Sequence, residues 1–396
     1  MVNNNVSHTK LTRIIFSVLI TILFQLLLSW FIAYSLHNIR LDHQSIFLVD
    51  LIGKPIFLPV WAYYLCGGGS TFLIWLIARR FFPAEWFLLP PLVFGISLWP
   101  AYLVAAQANS IIALLFSLSL FLSFLKWKDN QGSIWWLVLF IGGLYYFSLL
   151  AAPVIWILFL FIVVTGYLSK QQKRKLFLVV LLMYLPVVLG SFYNPEGIYN
   201  LTKQQIKVFS EPGLLNGVNS FKGESQQAGF GALSKLTENK YLYLSEYLLL
   251  KGLKHLSPST YFTSQEKLLN FSFSPPLYLG FIAPFLYGLY RSFKNHKSSR
   301  MMILAGLSLT LPSILAQPLV DLHRLILIMP ALVFIISYGL MSLYHNRHHM
   351  FTKLLLWGVI CLVITQIIVS LADISFREYP RFRRYFGEIH TEVGKQ

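Results

Sequence analysis

Residues 169–197 read SKQQKRK, then LFLVVLLMYLPVVLGSFY, then NPEG. Four basic side chains lead into a charge-free stretch, and a turn signal closes it. The middle part has the length of a bilayer-spanning helix, which needs about 20 apolar residues because lipid offers no water to exposed backbone groups. Lys170, Lys173, Arg174 and Lys175 hold one end of it on the cytoplasmic side, where short loops retain their basic residues. Asn194-Pro195-Glu196-Gly197 then opens the longest polar stretch of the chain, residues 194–275, on the other side.

Working outward, the same alternation recurs along the whole chain. Apolar segments fall at roughly 14–36, 56–78, 86–106, 110–126, 134–150, 152–168, 176–193, 276–292, 301–317, 324–344 and 354–372, about eleven in all. With the N-terminus inside, Lys10 and Arg13, Arg79 and Arg80, Lys126 and Lys128, the 170–175 cluster, Arg291 to Arg300, and Arg347 with Lys353 all fall on cytoplasmic connections. The short outer connections keep only Arg40, Lys54 and Arg324. An error of one helix in the middle would scramble this pattern. The C-terminus is therefore expected outside, and the protein in the plasma membrane.

Composition agrees. The chain is 56% hydrophobic and 12% charged with mean hydropathy +0.63, against roughly 25% charged residues in soluble domains. Its net charge of +17 follows the cytoplasmic loops, so nucleic acid is not a predicted partner; membrane lipids are. Cys66 and Cys361 lie far apart in apolar segments and imply no disulfide framework. The first apolar segment is too long for a signal-peptide core and no small-residue cleavage site follows, so it is expected to remain as an anchor.

The expected organisation is an N-terminal membrane module over 1–193, an extracytoplasmic loop over 194–275, a C-terminal membrane module over 276–372 and an outer tail over 373–396. Within the loop, residues 238–256 carry a helical pattern, with Tyr241, Leu244, Leu248 and Leu249 among Lys240, Glu246 and Lys251, ended by Pro258. Two placements suit it: on the membrane surface with its apolar face down, or inside a small folded loop. The tail places Arg377, Arg381, Arg383 and Arg384 among aromatic residues.

The acids separate by side. Glu85 and Asp129 are cytoplasmic, the rest fall outside, and none sits in the middle of an apolar segment. Ion-coupled transporters need buried ionisable groups near the midplane, so the pattern points instead to chemistry at the outer leaflet. Asp321, His323 and Arg324 form the densest outer cluster, at the start of a helix. Arginine clamps phosphate with two parallel hydrogen bonds and a helix N-terminus adds its dipole. Asp42 with His43 follows the first segment on the same side, where a carboxylate can deprotonate an acceptor hydroxyl; Asp50 can take its place. There is no Gly-rich phosphate loop and no His/Cys metal set, and no cofactor is assigned.

Several longer stretches resemble the GT-C glycosyltransferases of the protein O-mannosyltransferase and aminoarabinose-transferase type. They are Leu76-Ile77-Ala78-Arg79-Arg80-Phe81-Phe82 with Ile96-Ser97-Leu98-Trp99-Pro100, then Lys240-Tyr241 to Tyr247 with Leu256-Ser257-Pro258-Ser259-Thr260-Tyr261-Phe262. Pro284-Phe285-Leu286-Tyr287-Gly288-Leu289 follows, and then His323-Arg324-Leu325 running to Met329-Pro330-Ala331 and Gly339-Leu340. The resemblance implies an all-α polytopic GT-C-like bundle, a polyprenyl-phosphate sugar as donor and a glycan or protein as acceptor. Arg324 with His323 would hold the donor phosphate, and Asp42 would stand at the catalytic acid of the first loop. The chain departs from the family in having His43 after Asp42 where an Asp-Glu pair is usual. It also has Gln107-Ala108-Asn109 where a second acid is common, and no soluble domain follows the last span. A degenerate member that binds polyprenyl lipid or serves envelope assembly, and an envelope polysaccharide polymerase or ligase, fit the same pattern.

Overall fold

The computed structural model describes residues 8–35, 59–106, 108–140, 169–178, 240–263, 276–295 and 325–374, with the single residues 192, 220 and 227. Among them the protein is all-helical, with no strand. The order is α1 (His8–Ser35), α2 (Val60–Phe81), α3 (Leu89–Ile96), α4 (Leu98–Ala105), α5 (Asn109–Lys128), α6 (Lys240–Leu256) and α7 (Pro258–Phe262). A 3-10 turn (Leu279–Phe281) leads into α8 (Ile282–Asn295), and a second (Ile326–Ile328) leads into α9 (Met329–His345), followed by α10 (Met350–Asp373). Five of these segments are long and apolar enough to cross a membrane: Ile15–Tyr34, Val60–Phe81, Ser110–Lys128, Ile326–His345 and Met350–Ala372. The expected spans at 152–168 and 301–317 lie outside the described residues, as do most of 134–150 and 176–193.

The expected span at 86–106 has a different form. It is two helices, broken at Ser97, whose φ of −69° and ψ of 136° are extended. Pro100 is the cause. In a continuous helix its ring would strike the carbonyl of Ile96, four residues back, and it has no N–H to give that carbonyl. The freed acceptor is served from elsewhere in the chain: the Tyr278 hydroxyl donates to the Ile96 carbonyl at 2.9 Å. Ser97 Oγ donates to the Val93 carbonyl at 2.6 Å. A break is tolerated in a dry bundle only when its backbone groups find such partners. The expected span at 276–292 also begins irregularly, entering α8 through the 3-10 turn.

Apolar surface does not drive helices together in lipid, so close backbone approach and buried hydrogen bonds do. On α1, Thr21, Gln25 and Ser29 recur every four residues, and all are buried. Thr71 of α2 donates its hydroxyl to the Gln25 side-chain carbonyl. Gly67 brings α2 against α4, where an added Cβ would stand 2.6 Å from Val104; at Gly95 it would stand 2.8 Å from Thr21. Gly288 and Gly339 bring α8 and α9 into backbone contact: a Cβ on Gly288 would overlap the Ile335 carbonyl, and one on Gly339 the Pro284 carbonyl.

Outward, Phe16, Leu19, Leu23, Leu27 and Trp30 of α1 and Leu354, Trp357, Ile364 and Ile368 of α10 are exposed. Such faces suit lipid rather than water. One end of the bundle is polar and basic. Arg80 pairs with Asp129 at 2.9 Å, Gln172 Nε2 donates to the Lys128 carbonyl at 3.2 Å, and Trp86 packs on Tyr344 and His345. The chain segments that the charge pattern groups on one side therefore meet at one end.

Candidate functional site

The opposite end gathers the start of α2, the end of α4, the start of α5 and the turn that leads into α9. Leu325, Ile326, Leu327, Ile328 and Met329 are all buried. Pro330, second in α9, needs no hydrogen bond there and arrives with the helical φ already set. This turn is a wholly apolar plug, packed against α5.

The chain of α6, α7 and the turn before α8 packs on α4 and α8. Ser257 caps α7, accepting from the Ser259 N–H at 3.3 Å, and Pro258 stops α6 from continuing. Thr260 Oγ1 donates to the Lys254 carbonyl at 2.6 Å, closing an end of α6 that would otherwise leave carbonyls unpaired. The Tyr261 hydroxyl donates to the His255 carbonyl at 2.6 Å. Burial pushes the Tyr261 phenol well above its ordinary range, so it stays a protonated donor. The Leu277 N–H returns a bond to the Tyr261 carbonyl at 2.9 Å. Trp99 of α4 packs on Tyr261 with ring centroids 6.2 Å apart, and Phe285 of α8 packs on Phe262 at 5.5 Å. The loop thus sends aromatic anchors down into the bundle at the helix break.

Lys251 and His255, one turn apart on α6, are buried on its inner face. His255 Nδ1 lies 2.8 Å from the Lys251 carbonyl, which can only accept, so this nitrogen carries the proton. The Lys251 ammonium lies 6.0 Å from the Tyr247 ring centroid.

All six residues singled out in the sequence, Asp42, His43, Asp50, Asp321, His323 and Arg324, lie outside the described residues. Asp42, His43 and Asp50 belong to the connection between α1 and α2. Arg324 is the residue immediately before Leu325. The insert helix expected over 238–256 is present as α6, yet Lys251, grouped in the sequence with the polar face, is on the buried side. Of the buried set Trp99, His255, Tyr261 and Tyr278, the sequence names Trp99 and Tyr261 only within longer stretches and assigns a role to none of the four. The set's one local signal was the aromatic run after Pro258.

Among the described residues no three His, Cys, Asp or Glu side chains come together to hold a metal. Cys66 and Cys361 are free thiols. Among the described residues, Asp129 is paired to Arg80, while Glu85 and Glu246 are exposed. The hydroxyl and imidazole groups gathered in this part of the described chain serve the backbone: Thr260, Tyr261, Tyr278 and His255 Nδ1 each donate to a carbonyl. No family model matches the chain, and no curated protein matches it.

Proposed function

We propose that this protein is a membrane glycosyltransferase of GT-C type, moving a sugar from a polyprenyl-phosphate donor to a glycan or protein acceptor at the outer leaflet. Asp42 takes the proton from an acceptor hydroxyl, and that oxygen attacks the anomeric carbon. The bond from the anomeric carbon to the phosphate oxygen breaks, and the lipid phosphate leaves with the electron pair. Arg324, with His323, neutralises the charge that grows on it. Asp50, Asp321 and His43 are accessory groups in the same connections.

The observation that supports this reading is the buried apolar segment from Leu325 to Met329, which Arg324 directly precedes in the sequence; phosphate clamping demands an arginine held by such packed surroundings.

The test is donor binding by the purified protein in lipid nanodiscs, using a synthetic polyprenyl-phosphate hexose. Arg324→Lys keeps the charge and loses the planar fork. Arg324→Ala removes a charge-assisted contact worth roughly 1.5–3 kcal/mol, or about ten- to a hundredfold in affinity. Unchanged affinity in a folded Arg324→Ala variant would contradict the assignment of the phosphate to this residue.

A further inference from the structure

α6 is built with its polarity reversed. Leu249, Leu250, Leu253 and Leu256 are 63, 59, 58 and 41% exposed, while Lys251 and His255 are 6 and 0% exposed. On a helix in water the leucines would turn in and the lysine out. A face of four leucines over two turns is not left open to water without an occupant.

The depth of the helix says what the occupant is. Tyr261, five residues beyond the end of α6, packs on Trp99, which stands about 9 Å short of the end of α4 at a helical rise of about 1.5 Å per residue. Leu277 is hydrogen-bonded to Tyr261, and in the adjoining turn the Gly280 N–H donates to Gln366 Oε1 at 3.2 Å. Gln366 lies about 10 Å short of the end of α10 by the same measure. Two contacts therefore place Tyr261 below the end of α4 and Gly280 below the end of α10, which is long and apolar enough to span a bilayer. The lipid-facing band of α10, with Leu362, Ile364 and Ile368 exposed, covers the same depth.

We propose that α6 lies in the plane of one leaflet, its leucine face against the acyl chains and its Lys251–His255 face against the bundle. The occupant is lipid hydrocarbon. In-plane helices of this kind bury their apolar side about 5–10 Å into the boundary between headgroups and chains, and the Tyr261 hydroxyl, bonded to the His255 carbonyl, ties the end of α6 to the Tyr261–Trp99 contact. The helix is thereby both an anchor for the 194–275 insert and a wall between the acyl region and the end of the bundle. The inference needs only that the chain spans a bilayer, and it stands or falls separately from the transferase reading.

The experiment uses the full chain with Cys66 and Cys361 replaced by alanine, carrying one new cysteine at a time: Leu249→Cys, Leu253→Cys or Lys254→Cys, the last at an exposed position off the leucine face. Each is labelled with a polarity-sensitive fluorophore and placed in nanodiscs. Two quenchers are compared, a phospholipid bearing a nitroxide on its acyl chain and aqueous iodide. The expected result is acyl-chain quenching with little iodide quenching at 249 and 253, and stronger iodide quenching at 254. Iodide quenching at 249 and 253 would overturn the proposal in favour of a helix standing in water. Quenching by neither would overturn it in favour of a protein cover, supplied by another segment or a second copy.

Discussion

Replacing Gly339 with alanine tests how the C-terminal helices are held. A Cβ at this position would overlap the Pro284 carbonyl oxygen outright and stand 2.7 Å from its carbon and 3.0 Å from the Gly288 nitrogen. Carbon atoms rest about 3.5–4.0 Å apart, so α8 and α9 must part by about 1 Å. The obstructing atoms are backbone, and no rotamer change relieves them. Overpacking typically costs about 1–3 kcal/mol, and a backbone clash belongs at the upper end, near 3. Alanine returns about 1 kcal/mol because glycine is a poor helix former. The net loss is about 2 kcal/mol. Gly358 on α10 is the internal comparison: a Cβ there meets nothing within 4 Å, so Gly358→Ala keeps the propensity gain and is neutral or mildly stabilising. Thermal unfolding in nanodiscs, followed by intrinsic fluorescence, should show Gly339→Ala melting several degrees below Gly358→Ala. Equal melting temperatures would refute the claim that backbone contact between α8 and α9 sets this part of the bundle.

Two further outcomes follow from the same contacts and from the charge pattern. Tyr278→Phe removes the donor to the Ile96 carbonyl and leaves a buried acceptor unpaired at the helix break, at a cost of about 1–3 kcal/mol; a melting temperature equal to that of the wild type would show that the break does not depend on it. Topology reporters fused near Arg174 and Lys297 should read cytoplasmic, and one within residues 220–227 extracytoplasmic; a cytoplasmic signal from 220–227 would remove the proposed site from the outer leaflet.

The spanning helices were the legible part of the sequence. Segments expected at 14–36, 56–78, 110–126, 324–344 and 354–372 correspond to α1, α2, α5, α9 with its leading turn, and α10, because transfer of a uniformly apolar stretch into lipid is read one residue at a time. The break at Ser97 escaped that reading. Residues 86–106 are apolar throughout, and what divides them is the distance from Pro100 back to the Ile96 carbonyl, a matter of geometry to which hydropathy is blind. The partner that makes the break tolerable, Tyr278, lies 182 residues away, so no local window holds both. For α6 the residue pattern shows a two-sided helix without saying which side faces in; the burial of Lys251 and His255 answers that, and it depends on tertiary packing. The motif pieces Ile96–Pro100, Pro284–Gly288 and Gly339 have packing roles here: they break a helix, free a carbonyl and let two backbones touch. Asp42 and Arg324 are nearly three hundred residues apart in sequence, and whether two such residues meet is encoded in no local pattern.

The central claim is tested most directly by turnover of a polyprenyl-phosphate sugar with and without Asp42. Asp42→Asn keeps the shape and hydrogen-bonding capacity of the side chain and removes its ability to take a proton. With radiolabelled donor and envelope acceptors in nanodiscs, the account predicts a fall in transfer of about a hundredfold or more, the scale of general base catalysis. Donor affinity should be nearly unchanged, and Asp50→Asn should have only a mild effect. Wild-type protein that binds the donor yet transfers nothing, with Asp42→Asn indistinguishable from it, would contradict the account and leave a lipid-binding protein in place of an enzyme.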